Sequence, residues 1–317
     1  MPAEIAQSVE HFTRNEGVEG SSPFFSCHVY PREAKEDSFP GMFLQVMNEG
    51  RRRMTKDAFK QSIPELEKVF IIYSRLTHLP YVECNAETYD DESFFYTEEE
   101  KAVEMAKSLM EEKKAAVALK VEKKELLNTL SGFFSYGINM LVFRTGEEEY
   151  RFQLTELIKR PDFSKIPMEK RPMGIAEPIE NPGLQLSMMY FLQELRRGAV
   201  KSDTEKYREL KEEMDVNLQR ARYLMPVQEA EKDGNKVLQL MMIKPKDGTV
   251  MMPIFTDILE FMHFRGKQET KLVLTDLGKM DKMSLPEEAI GFILNPAGAG
   301  LVLTKEYVKR LAGADRE

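Results

Sequence analysis

Cysteine is nearly absent: Cys27 and Cys84 are the only two in 317 residues. Two thiols make neither a disulfide framework nor a zinc cluster. Histidine is scarce as well, with four in the chain, so acid–base chemistry would fall to carboxylates, and no carboxylate pair stands out. No apolar run approaches the roughly 20 residues that a membrane helix needs. The N-terminus lacks the basic segment and apolar core of a secretory signal. Neither sign of charge dominates. The net charge is −8, with acids and bases mixed along the chain, and such a surface repels a phosphate backbone unless a basic patch is concentrated somewhere. These absences point to a soluble cytoplasmic protein that engages neither nucleic acid nor membrane.

The first 53 residues read unlike the rest. The stretch from 3 to 26, "AEIAQSVEHFTRNEGVEGSSPFFS", resembles the conceptual translation of a transfer-RNA gene, and "GRRRM" before Met54 can be encoded by a ribosome-binding site. Residues 1–53 are therefore expected to be a misannotated leader or a disordered tail, having low apolar content and no periodicity.

From Lys68 onward, strands and helices alternate. "KVFIIYSR", "LPYVEC" and "SFFYT" are short, β-branched or aromatic, and bounded by polar turns. A helix over 98–114 follows, with Thr97 as its expected N-cap and an apolar stripe of Ala102, Met105, Ala106 and Leu109. "AAVALKV", a second helix and the strand pair "INMLVFR"/"YRFQL" close the unit. The same order returns after residue 200, with Thr97 matched to Thr256 and Gly137 to Gly291. The expected fold class is α/β (α+β-like): two tandem mixed-sheet domains, 54–160 and 201–317, with helices packed on the sheets. Between them, residues 161–200 hold a proline-rich linker and a helix over 184–195 that is apolar around more than half its girth. Leu184, Met188, Phe191, Leu192 and Leu195 on that helix are the expected interface, either between the units or with a second copy of the chain.

"GFILNPAGAG" (291–300) raises the question of a phosphate loop. Such a loop needs backbone N–H groups converging at a helix N-terminus, with a lysine close by. Here a strand, "LVLT", follows the glycines and no lysine closes the loop, so a strand–turn–strand connection is expected, with Gly298 and Gly300 at positive φ. The acids of "ETYDDESFF" (87–95) suit a solvated turn better than a metal site. Cys84 and His78 lie six residues apart with no third group. The methionines, Met251 and Met252 among them, face opposite sides of a strand and fit core filling better than soft-metal binding. No catalytic residue, cofactor site or metal set is assigned.

Pro253, Ile254, Phe255, Thr256 and Asp257, followed by Ile293, Leu294, Asn295, Pro296 and Gly298, give the second unit its character. The steps "PIFTD" and "ILNPAG" resemble the N-terminal domain of the SseB family, named for a link to enhanced serine sensitivity in bacteria. The resemblance implies an α/β domain of a cytoplasmic bacterial protein without an established activity, and it supplies no catalytic residues. The first unit looks similar in order but lacks Asn-Pro-x-Gly. The expectation is a non-enzymatic binding or regulatory protein of the SseB type, in two copies, acting on a protein partner or on itself. The alternative is a small-molecule sensor or enzyme using the turn Asn295, Pro296, Gly298 and Gly300, with Thr256 and Asp257 beside it.

Overall fold

The computed structural model describes residues 54–160, 165, 178–198, 200–201, 204–232, 235–244, 248–264 and 270–313. The expected leader, residues 1–53, and most of the proline-rich linker lie outside them.

The first unit opens with helix α1 (Lys56–Ser62), whose N-cap Thr55 accepts a hydrogen bond from the Ala58 amide. Strands β1 (Lys68–Ser74), β2 (Leu79–Pro80), β3 (Glu83–Cys84) and β4 (Asp91–Tyr96) follow. Helix α2 (Glu99–Glu111), strand β5 (Ala116–Glu122) and helix α3 (Lys123–Tyr136) come next, then the hairpin β6 (Met140–Thr145) and β7 (Glu148–Gln153), and the single turn α4 (Leu154–Leu157). All seven strands form one mixed sheet. β4 and β6 are parallel, as the crossover through α2, β5 and α3 between them permits, and the other pairs are antiparallel. Thr97 is not the cap of α2: Glu98 occupies that position, without a side-chain cap bond.

The second unit begins at α6 (Glu205–Arg220), capped by Thr204, and continues through β8 (Tyr223–Lys232), β9 (Asn235–Leu240) and β10 (Val250–Ile254). Helix α7 (Ile258–Phe264), β11 (Lys271–Thr275), α8 (Leu277–Asp281), β12 (Ala289–Leu294), β13 (Leu301–Thr304) and α9 (Lys305–Gly313) complete it. Its strands form two three-stranded sheets, β10-β12-β13 and β11-β8-β9, bridged by Leu224 and Phe255.

The strand pairings of the two units run in parallel. β1 pairs with β2, β4 and β5; β8 pairs with β9 and β11 and bridges to Phe255, just after β10. The parallel pair β4/β6 has its counterpart in β10/β12, and the hairpin β6/β7 in β12/β13. Phe95 pairs with Phe143 in the first unit, and Ile254 pairs with Leu294 in the second. Met140 pairs with Gln153 in the first unit, and Gly291 pairs with Thr304 in the second. Gly137 ends α3 in the left-handed region, at φ 75°. Gly291 lies within β12, where a side chain is excluded because the Leu303 carbonyl would stand 2.2 Å from a Cβ.

Helix α5 (Pro182–Arg196) joins the units. Leu184, Met188, Phe191 and Leu192 are buried and Leu195 is half-buried. One hydrophobic cluster runs from Phe59 and Val69 in the first unit through these side chains to Met214, Leu218 and Val308 in the second. The helix is apolar around most of its girth because both sides are covered.

Candidate functional site

The parallel strands β10 and β12 end side by side, and the segments that leave them meet. β10 passes through Phe255, Thr256 and Asp257 into α7; β12 passes into the turn Asn295–Gly300. In open sheets the space beyond the carboxyl ends of parallel strands is where ligands bind. Here that space is filled by the protein itself.

Asn295 organises the turn. It is fully buried, with φ 51°, a left-handed conformation that asparagine tolerates better than most residues. Its amide donates to the Ile254 carbonyl at 2.9 Å, and its carbonyl accepts from Gly298 N and Gly300 N at 2.9 and 3.0 Å. Its side chain closes a ring with Thr256: Oδ1 accepts from Thr256 N at 3.0 Å, and Nδ2 donates to Thr256 Oγ1 at 2.9 Å. The positive φ in the turn thus falls on Asn295 and Gly300 (60°), not on Gly298 as expected. Gly298 is needed for space, because a Cβ would meet Glu260 Oε2 at 2.5 Å. Pro296 is half-exposed and Ala297 alone in the turn is exposed.

Thr256 and Asp257 are buried beneath this turn. Thr256 Oγ1 donates to Asp257 Oδ2 at 2.8 Å, and Asp257 Oδ1 accepts from the Leu259 and Glu260 amides at 2.9 and 3.0 Å, capping α7. Burial pushes the Asp257 carboxyl above the usual range, against the pull of its hydrogen bonds. Three residues that sequence reasoning passed over come from the α5 region. Gln185 Nε2 donates to Thr256 Oγ1 at 2.9 Å and to Asp257 Oδ2 at 3.3 Å. Asn181 Nδ2 donates to the Thr256 carbonyl at 2.6 Å and the Arg222 carbonyl at 2.8 Å. Arg196 reaches the far side of the turn: Nη2 donates to the Ala299 and Gly300 carbonyls at 2.7 and 3.2 Å, and Nη1 to the Leu76 carbonyl of the first unit. No carboxylate of the described residues pairs with Arg196, and burial lowers its guanidinium to about 10.

Glu260 is the fourth residue missed. It is 1% exposed, and neither carboxylate oxygen has a hydrogen-bond partner. Burial first, and then the neighbouring Asp257 charge, push it up to about 8. One signal was present in the sequence: Asp257-x-x-Glu260 has the spacing of a capping box. That motif would turn the glutamate back to the Asp257 amide, whereas here it lies against Gly298. Gln185 and Arg196 carry no comparable signal, since each sits alone among apolar or surface neighbours.

The other sequence candidates are placed as follows. Asp90 accepts from Asn139 Nδ2 at 2.7 Å and Gln153 Nε2 at 2.9 Å; Asp91 accepts from Tyr190 Oη at 2.6 Å; Glu92 pairs with Arg151 and Asn85. Their charges are engaged within the fold, and among the described residues no group of three His, Cys, Asp or Glu converges. Burial, and then the charges of Asp91, Asp90 and Glu92, push the Cys84 thiol up, the reverse of activation. Met251 and Met252 are core residues. Among the described residues no helix is long and apolar enough to cross a membrane.

Residues 199–310 match the family described as the SseB protein N-terminal domain. The match covers one copy; it does not extend to 54–160, where a second was expected. A search among curated proteins finds no relative that matches. Two solved structures are similar. Tic22 from Plasmodium falciparum has 11% identity, with 81% of this chain and 97% of that chain covered, at a TM-score of 0.19. Anabaena Tic22 (protein transport) has 10% identity, with 75% and 92% covered, at a TM-score of 0.19. At so low a superposition neither likeness bears on what this chain does.

Proposed function

We propose that this chain is a non-enzymatic binding or regulatory protein of the SseB type, cytoplasmic, acting through contacts with another protein. One observation carries the reading. The amides of Gly298 and Gly300, which a ligand loop would present outward, both donate inward to the Asn295 carbonyl. The family-like residues Thr256, Asp257 and Asn295 are likewise committed to one another and to α5. Their role is to hold shape, which leaves the outer surface to act. The alternative, a sensor or enzyme using the Asn295–Gly300 turn, would require those bonds to break before a ligand could enter.

We infer further that residues 54–160 are a diverged second copy of the same unit, on the strength of the repeated strand pairings. The two copies differ on one face. In the first, the thirteen-residue α2 covers Phe70, Ile72 and Ala116 with Ala102, Ala106 and Leu109. In the second, α7 has seven residues, with Leu272 and Leu274 half-buried; Leu259 and Met262 are exposed, as Val103 and Met110 are on α2. The shorter α7, with Leu259 and Met262 at its surface, is the proposed contact surface.

Affinity capture from the native cell should compare the parent with Leu259→Asp/Met262→Asp. A partner held by the parent and lost by the variant supports the reading. Saturable binding of ATP, GTP or NAD, abolished by Gly298→Val, would replace it with the alternative.

A further inference from the structure

Around Glu260 the hydrogen bonds do not close. Three buried oxygens lack a donor: Glu260 Oε1, Glu260 Oε2 and Gln185 Oε1. Rotating the Gln185 amide does not help. Thr256 Oγ1 gives its own proton to Asp257 and accepts from Asn295 Nδ2, so the Gln185 atom facing Thr256 and Asp257 must be the N–H group. With Glu260 ionised, the cluster would hold two adjacent buried carboxylates and an acceptor oxygen. Buried groups left so are costly.

A single proton reduces the conflict, because a neutral carboxyl group is a donor as well as an acceptor and carries no charge against Asp257. We propose that Glu260 is held as the neutral acid, and that its proton is the latch by which α5 stays docked on the second unit. Loss of that proton places a second negative charge against Asp257 and removes the one donor the carboxyl group could offer, so α5 loosens from α7 and the turn.

The surroundings offer no cation to hold the ionised form. At the start of α7 the titratable neighbour is Asp257; His263, farther along the helix, is exposed and its imidazole pKa is lowered. α5 contributes the neutral Gln185, whose side-chain amide favours the ionised form but is outweighed by burial and by Asp257. α3 contributes the Tyr136 phenol, which feels the Glu260 and Asp257 charges and, more weakly, Tyr73 of β1. The turn contributes only the Gly298 backbone. Arg196 is directed at the Ala299 and Gly300 carbonyls instead. Among the described residues, the charge that acts on Glu260 is that of Asp257, which raises its affinity for the proton.

The sign follows from linkage. A carboxyl raised from the ordinary value near 4.3 to about 8 binds more protons in the folded state between those limits. Its contribution is fully present below the lower value and is lost as pH rises through the upper one.

Amide hydrogen exchange across residues 182–196, corrected for intrinsic rates, should be followed from about pH 6 to about pH 9 in the parent and in Glu260→Gln, which keeps the shape without the charge. Protection in the parent is expected to fall about tenfold or more, which is roughly 1.4 kcal/mol, and to stay nearly constant in the variant. The same fall in both proteins overturns the latch. Should the variant not fold, the parent labelled with carboxyl-¹³C glutamate supplies the answer. One glutamate resonance titrating far above the rest supports the proposal, and its absence overturns it.

Discussion

The two units share one scheme of strand pairing, yet the ends of their parallel strands are used differently. In the first, the segment after β4 meets the β6–β7 turn through ordinary backbone contact: Thr97 N donates to the Arg144 carbonyl at 3.1 Å. The neighbouring charges, Arg144 with Glu149 and Glu98 with the Gly146 amide, are half-exposed or exposed. In the second, Thr256 N donates to a side-chain oxygen, Asn295 Oδ1, and the whole arrangement is buried beneath α5. What turns a surface corner into a core is the linker helix. It brings Gln185 to one side of the turn and Arg196 to the other, so the polar groups must satisfy each other.

Substitutions at matched places should separate the two corners. The largest effect is expected from Phe191→Asp with Leu195→Asp, which sets charge into the cluster shared by both units. Removal of one such aromatic side chain costs about 3–5 kcal/mol on its own, so unfolding should lose its single cooperative transition or the chain should fail to fold. Next comes Asn295→Ala. It strands the buried Thr256 amide and places alanine at φ 51°, and denaturant unfolding should show a loss on the order of 3 kcal/mol. Gly298→Ala drives a methyl group into the Glu260 carboxyl and should cost about 1–3 kcal/mol, with backbone conformation playing no part. On the proposed duplication, Arg144 takes the place of Asn295 in the first unit. Replacement of Arg144 by alanine should cost less, about 1–2 kcal/mol, because its ion pair with Glu149 and its hydrogen bond to Tyr96 Oη are partly exposed to water. A cost at Arg144 equal to that at Asn295 would erase the distinction.

Much of this architecture was legible in the chain. Strand and helix order followed from alternation and turn residues, and the apolar girth of α5 announced a helix covered on both sides. "NPAGAG" was readable as a turn because a strand follows it. The reading failed where a residue answers to something distant in sequence. Gly298 is small on account of Glu260, and Gly291 on account of the Leu303 carbonyl; neither reason is visible in a local window. Thr97 looks like a helix cap, but the start of α2 falls one residue later. Gly137 and Gly291 look alike in order, yet one ends a helix and the other lies within a strand. Gln185 and Arg196 could not be assigned to the turn at all, since about a hundred residues separate α5 from it and only packing brings them together.

The account stands on the turn being closed on itself. Backbone amide exchange of Gly298 and Gly300, read residue by residue by NMR with and without millimolar ATP, tests this most directly. Both amides should be strongly protected, as bonds to the buried Asn295 carbonyl require, and unmoved by the nucleotide. Rapid exchange at both positions, slowed when ATP is added, would mean that the turn is an open cradle and would contradict the account.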